Sequence, residues 1–234
     1  MDESKVDHWL ARLGRLMLSP RCLLCREPGA QGRDLCAPCA HSLPWNLHAC
    51  SRCAIPLQGA GVCGQCLRRM PPLAETCAVF VYGFPLDQLL PRFKFHNDLA
   101  AGRLLSQLML DTLVLRPRPE AIIPVPLHGT RLRSRGYDQA LELARPLARH
   151  LKIPLLDQAL VRISNTRPQS ELDAEARRRN LRRAFCPGEG AVLPRHVALV
   201  DDVMTTGATL HAAAAVLRKA GVERVDAWVC ARVP

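Results

Sequence analysis

Eight cysteines in the first third of the chain have the spacing of metal ligands. They form four Cys-x-x-Cys pairs: Cys22/Cys25, Cys36/Cys39, Cys50/Cys53 and Cys63/Cys66. Such a turn directs two thiolates toward one ion, and two turns complete the tetrahedral site that Zn²⁺ prefers. In a chain without a signal peptide, the pattern indicates metal rather than disulfides. It predicts two structural zinc sites, with one zinc and spare thiols as the alternative. The pairing order is open, because consecutive or alternate pairs could share an ion. His41 and His48 lie nearby as expected bystanders.

A second stretch with chemistry lies near the C-terminus. Apolar residues 197–200 predict a buried strand, and Asp201 and Asp202 follow at its carboxyl end, where ligands bind in parallel α/β sheets. Residues 205–209 then form a turn into a helix, whose first amides and dipole favour an anion. Gly207 allows close approach, and the threonine hydroxyls add donors. Because carboxylates repel phosphate, we expect the acidic pair to accept hydrogen bonds from sugar hydroxyls. The stretch predicts a site for a phosphorylated ribose, and a mere helix cap is the alternative.

Alternating strands and helices are predicted to position this site. Patterns of apolar residues indicate strands at 78–82, 121–125, 155–163, 196–200 and 222–233, and helices at 98–115, 137–151 and 208–220. Strands separated by helices imply a parallel α/β sheet flanked by helices. We expect an N-terminal helix at 1–19, a small zinc ribbon or finger module at 20–72, and the α/β domain at 73–234.

The composition limits the partners and the location. The chain has 234 residues and a formal net charge of +11. Most of the excess is arginine, which favours forked contacts with phosphate. This charge indicates a polyanionic partner, with a solvated basic surface as the alternative. No apolar run approaches the ~20 residues of a membrane span, and Asp2 and Glu3 are unlike a signal peptide. We therefore expect a cytoplasmic chain with no membrane span.

Taken together, these motifs resemble the ComF family, which joins a zinc region to a type I phosphoribosyltransferase domain. The cysteine pairs match the zinc region, and residues 201–209 match the signature for phosphoribosyl pyrophosphate (PRPP). Further matching blocks are Phe93-Lys94-Phe95, Val125-Pro126-Leu127, Arg131, Arg135-Gly136-Tyr137-Asp138-Gln139, Arg167-x-Gln169, Arg177-x-x-Asn180-Leu181 and Ala184-Phe185. The resemblance covers nearly the full length. For Lys94 and Gln139, a solvent-facing position is an equal alternative.

The resemblance implies roles for individual residues. Asp201 and Asp202 would hold the ribose hydroxyls, and Arg131 would face the pyrophosphate; these three form the implied catalytic set. The 5′-phosphate would be held by Thr205, Thr206, Gly207, Ala208 and Thr209. A flexible loop with Arg167, Gln169, Arg177 and Asn180 would close over the site. Pyrophosphate leaves a forming oxocarbenium ion, so the transition state calls for Mg²⁺ and arginine on the leaving group.

The implied function is phosphoribosyl transfer from PRPP in DNA uptake, natural competence or DNA utilisation. The sequence leaves the acceptor and the oligomeric state open. The alternative is a non-catalytic protein that binds PRPP, a nucleotide or single-stranded DNA. In a third interpretation, the chain is an adaptor for a helicase or pore component of the DNA-uptake machinery.

Overall fold

The computed structural model describes residues 20–164 and 184–234. The helices are α1 (Ala37–His41), α2 (Gly64–Arg68), α3 (Leu86–Phe95), α4 (Leu99–Leu113), α5 (Gly129–Arg135), α6 (Gln139–Leu151) and α7 (Ala208–Lys219). The strands are β1 (Glu75–Val81), β2 (Ala121–Pro124), β3 (Leu160–Arg162), β4 (Phe185–Pro187), β5 (His196–Met204) and β6 (Arg224–Arg232). The predicted N-terminal helix and the loop residues Arg167, Gln169, Arg177 and Asn180 lie outside the described residues.

A four-stranded sheet with the order β1-β6-β5-β2 forms the centre, and all its neighbouring strands are parallel. The prediction of a parallel α/β sheet is therefore confirmed. The predicted helices at 98–115, 137–151 and 208–220 correspond to α4, α6 and α7 to within two residues at either end. Asp98 and Asp138 start α4 and α6 as N-caps, accepting hydrogen bonds from Ala101 N (3.0 Å) and Leu141 N (3.1 Å).

Side chains alternate between the two faces of the sheet and build two cores. In β5, Ala198 and Val200 pack in one core, and Val197 and Leu199 pack in the other. This is the period of two that an extended chain imposes. Helices α3, α4 and α6 cover the first face, and α7 covers the second. No helix among residues 20–164 and 184–234 is long and apolar enough to cross a membrane.

Residues 44–51, which follow the second cysteine pair and include the first cysteine of the third, cover the free edge of β1. Val81 N donates to Pro44 O (2.8 Å), and Thr76 N donates to Ser51 O (2.8 Å). The first two cysteine pairs contribute Cys22, Cys36 and Cys39 to the core of the first face, and the last two pairs pack in the core of the second face. The cysteine-rich region therefore spans the sheet edge, which blocks pairing with another chain there.

Two predicted strands need correction, and two helices were not predicted. The strand predicted at 155–163 forms only in part: Leu155 makes a single parallel bridge to Ile122 of β2, residues 157 and 158 form a turn, and Leu160–Arg162 is a separate short strand. This short strand pairs antiparallel with β4, outside the parallel sheet. The strand predicted to end at residue 200 continues to Met204. Helices α3 and α5 were missed, since Pro91 interrupts the pattern of α3 and α5 has no buried face.

Candidate functional site

Asp201 and Asp202 lie inside β5, in its carboxyl-terminal half, rather than after it. Asp201 Oδ1 accepts from Asp202 N (2.8 Å), and Asp202 Oδ1 accepts from Val203 N (2.5 Å). Asp202 is only 8% exposed. Gly207 occupies the N-cap position of α7, and the recorded backbone donors to the two carboxylates, Asp202 N and Val203 N, belong to β5 rather than to that helix. The acidic pair is therefore not a helix cap.

A lysine from a distant helix contacts the pair. Lys94 Nζ lies 2.9 Å from Asp202 Oδ2, and both side chains are largely shielded from solvent. Lys94 belongs to the last turn of α3, where its neighbour Phe93 is fully buried in the core. Burial of Phe93 anchors the helix end, and this anchoring aims Lys94 at the carboxylate. The solvent-facing alternative for Lys94 is thus excluded.

Two carboxyl groups in this region, those of Asp201 and Asp138, have raised pKa values. Burial raises the pKa of Asp201 to about 8, and repulsion from Asp202 adds to the shift. Burial also raises the pKa of Asp138 above its usual range. Asp138 Oδ2 accepts from Leu127 N (2.9 Å), so this carboxylate ties the start of α6 to the loop after β2. Its role in the structure is to hold that loop beside the acidic pair.

The turn after β5 has the geometry of an anion site at a helix start. Gly207 has φ = 76°, and a Cβ there would approach Met204 Cε to 2.4 Å, so glycine is required. Helix α7 follows with 12 residues, and its first amides have no partner within the helix. Thr205 and Thr206 are exposed, and Thr206 Oγ1 accepts from Ala208 N (3.4 Å). Such a turn can bind a phosphate through backbone N–H groups.

The acidic pair, Lys94 and Thr209 face one open cleft. Its lining residues are Lys94, Val125, Pro126, Leu127, Arg131, Arg135, Asp138, Gln139, Ala140, Arg162, Asp201, Asp202 and Thr209. The structure thus brings Asp201, Asp202, Arg131 and Thr209 together. Thr205, Thr206, Gly207 and Ala208 form the connecting turn between the acidic pair and Thr209.

Several cleft residues were not assigned roles from the sequence. Gln139 is only 2% exposed, and its Oε1 accepts from Arg135 Nη1 (2.8 Å), so it is not a surface residue. Arg162 was missed altogether, since a basic residue in a short strand gives no signal. Its guanidinium lies 5.4 Å from the centroid of the Phe185 ring. Burial lowers the pKa of Arg162, and the nearby charge of Arg131 adds to the effect.

The cysteines form two tetrads from consecutive pairs. One is Cys22, Cys25, Cys36 and Cys39, and the other is Cys50, Cys53, Cys63 and Cys66. Within each, the sulfur atoms lie within 4.8 Å of one another. The Sγ atoms of Cys25 and Cys36 are 3.5 Å apart, and those of Cys53 and Cys63 are 3.7 Å apart. A tetrahedron with Zn–S of ~2.3 Å needs sulfurs ~3.8 Å apart, so both tetrads fit Zn²⁺. Among the described residues, His41 and His48 belong to neither tetrad.

One buried arginine connects the second tetrad with the turn after β5. Arg232 Nε donates to Cys53 O (2.9 Å), and Arg232 Nη1 donates to Met204 O (3.3 Å). Cys53 is a tetrad member, and Met204 is the last residue of β5. The sequence offered no signal for this contact, because Arg232 lies in the final strand, far along the chain from both partners.

Known protein families match both the cysteine-rich region and the C-terminal part of the chain. Residues 13–79 match the double zinc ribbon domain, and residues 138–234 match the phosphoribosyl transferase domain. Competence protein F of Haemophilus influenzae is 38% identical over 222 residues, covering 91% of this chain and 96% of the relative. The chain belongs to the ComF family. DNA utilization protein YhgH of Escherichia coli K12 is 33% identical, covering 90% of this chain and 96% of the relative. Competence protein ComFC of Bacillus subtilis is 29% identical, covering 74% and 73% respectively. The two tetrads fit the double zinc ribbon of this ComF chain.

Proposed function

We propose that the protein binds PRPP and acts as a phosphoribosyltransferase-type protein in DNA uptake or utilisation. The observation that supports this most directly is the meeting of Asp201, Asp202 and Arg131 with the start of α7 at one cleft. The biological process in this proposal is taken from the names of the ComF relatives, which refer to competence and to DNA utilization. A cytoplasmic location is part of the proposal, because zinc-binding thiols persist where thiols are kept reduced.

Each cleft group has a task that suits its chemistry. Asp201 and Asp202 accept hydrogen bonds from the ribose hydroxyls, and residues 205–209 bind the 5′-phosphate through amides and hydroxyls. The guanidinium groups of Arg131 and Arg162 stabilise negative charge on the departing pyrophosphate. The carboxylate oxygens of the acidic pair also suit Mg²⁺, which would neutralise charge on the pyrophosphate when bound with PRPP. Lys94 holds Asp202 in place and offsets its charge.

Calorimetry of PRPP with Mg²⁺, at a pH above about 8 where Asp201 is ionised, tests the proposal. The double variant Asp201→Asn/Asp202→Asn should bind at least about tenfold more weakly. Each charged hydrogen bond is worth about 1.5–3 kcal/mol, and ~1.4 kcal/mol corresponds to one decade. Thr206→Val should also weaken binding, because it removes a donor and keeps the shape.

Two controls accompany this measurement. Asp157→Asn changes an exposed aspartate outside the cleft and should leave affinity unchanged. Ribose 5-phosphate should compete weakly, because it lacks pyrophosphate. No heat of PRPP binding to the folded wild-type protein with Mg²⁺ present would refute the proposal.

A second candidate is a non-catalytic role in the same process. The formal net charge of +11 favours binding of single-stranded DNA, alone or while docked on a helicase or pore component. Release of pyrophosphate from PRPP in the presence of candidate bases would distinguish catalysis from this role. Affinity for single-stranded DNA that falls as the salt concentration rises would support the second candidate, because lysine and arginine side chains displace counterions from the phosphates.

A further inference from the structure

An exposed aromatic ring stands at the margin of the cleft. Phe95 is the last residue of α3 and follows Lys94, which contacts the acidic pair. The Phe95 side chain is 64% exposed. Its two predecessors point to the core and to the cleft, so Phe95 extends the same helix end toward solvent. The ring is therefore held beside the cleft by an anchored helix.

The guanidinium group of Arg135 lies against this ring. Arg135 Cζ is 5.1 Å from the centroid of Phe95, and Arg135 itself lines the cleft. Arg135 Nη1 donates to Oε1 of the buried Gln139 (2.8 Å), which fixes the guanidinium in position. Single exposed apolar side chains are common on protein surfaces. Phe95 differs because a guanidinium that lines the cleft is held against its ring.

We propose that Phe95 and Arg135 form a stacking platform for a nucleobase at the margin of the cleft. Aromatic rings and guanidinium planes are the groups on which proteins stack bases. The basic groups Lys94 and Arg131 nearby suit the phosphates that accompany a base. The base comes either from a free acceptor or from a single strand. The acceptor form rests on the proposed function, because the stacked base would then lie next to bound PRPP.

Matched oligonucleotides test the platform directly. A short oligothymidylate and an abasic oligomer of equal length carry the same phosphates, so their affinity ratio isolates stacking. The wild-type protein should prefer the oligothymidylate about fivefold or more, since one stacked base is worth about 1 kcal/mol or more. Phe95→Ala should remove this preference, and Phe95→Trp should restore it. Phe84→Ala, which truncates another phenylalanine with 71% exposure outside the cleft, should keep it.

The free base forms a second arm. 2-Aminopurine, whose fluorescence falls on stacking, is titrated into protein saturated with PRPP and Mg²⁺. Quenching in the wild-type protein and in Phe95→Trp, lost in Phe95→Ala, supports the platform as an acceptor site. The oligomer preference alone supports it as a strand site. The platform is refuted if neither arm depends on Phe95. Absence of PRPP binding would refute the proposed function separately, and the oligomer arm would still decide the platform.

Discussion

Replacing Arg232 by methionine should weaken the second zinc site and the turn after β5 together. The Arg232 side chain is only 8% exposed, and it donates to the carbonyl oxygens of Cys53 and Met204 at 2.9 and 3.3 Å. It also donates to the carbonyl oxygen of Val233. Methionine would fill part of the volume of the side chain but would remove a charged donor from each of these carbonyls, and Met204 O would keep only the hydrogen bond from Val233 N (3.0 Å).

The size of the effect follows from these bonds. A hydrogen bond that involves a charged group is worth about 1.5–3 kcal/mol, so losing the bonds to Cys53 and Met204 should cost about 3 kcal/mol or more. Cys53 is itself a member of the second tetrad. If half of this free energy is lost from the second tetrad, the zinc affinity of that tetrad drops about tenfold. The remainder should loosen the turn and weaken PRPP binding.

Zinc release to a chromophoric chelator, together with PRPP calorimetry, measures both effects. In Arg232→Met, zinc from one site per chain should leave at lower chelator concentration, and zinc at the other site should behave as in wild type. Arg224→Met is the matched control, since Arg224 lies at the opposite end of β6 and contacts Asp226 and Glu75. Wild-type zinc release and PRPP affinity in a folded Arg232→Met protein would show that the contact carries no coupling. An equal effect in Arg224→Met would also contradict it.

Three further predictions address the metal and the acidic pair. Elemental analysis of protein purified without chelator should give two zinc ions per chain, because two tetrads have tetrahedral spacing; one ion or none would contradict this. The raised pKa of Asp201 means that the folded chain keeps a proton that the unfolded chain releases between about pH 4 and about pH 8. The free energy of unfolding should therefore fall as pH rises through this window, by at most ~1.4 kcal/mol per unit, and Asp201→Asn should flatten the profile. An unchanged profile in urea titrations of this variant would reject the assignment. In a double-mutant cycle of Lys94→Met and Asp202→Asn, the free energies of unfolding should be non-additive by about 0.5–3 kcal/mol, because the pair is in contact and shielded. Additive free energies would show that the ion pair contributes no stability.

Local sequence was sufficient to predict a feature whose residues are neighbours along the chain. The Cys-x-x-Cys spacing predicts zinc because the turn itself places two thiolates side by side. Residues 201–209 likewise predict an acidic pair and a helix start, since strand, turn and glycine are encoded within one short stretch. The structure extends β5 to Met204, but it keeps this order of groups.

The pairing of the cysteines could not be determined from their spacing. Alternate pairs are separated by more than twice as much chain as consecutive pairs, but each doubling of a loop costs only about 0.6 kcal/mol, so loop closure favours neither arrangement strongly. The choice depends on the segment that pairs with the edge of β1, which leads the first two pairs to one face and the last two to the other. Alternate pairs are thereby kept apart.

The sequence by itself thus determined the cysteine ligands, the acidic pair, the turn into α7 and the parallel α/β sheet. Only the tertiary structure decided which distant cations face the acidic pair and which arginine connects the turn after β5 to the second tetrad. Lys94, Arg162 and Arg232 come from separate elements. Arg162 and Arg232 are ordinary basic residues in their own stretches of sequence, and the block that contains Lys94 does not reveal its contact with Asp202. Their positions depend on the packing of helices and strands against a common sheet, which brings together residues that no local pattern relates.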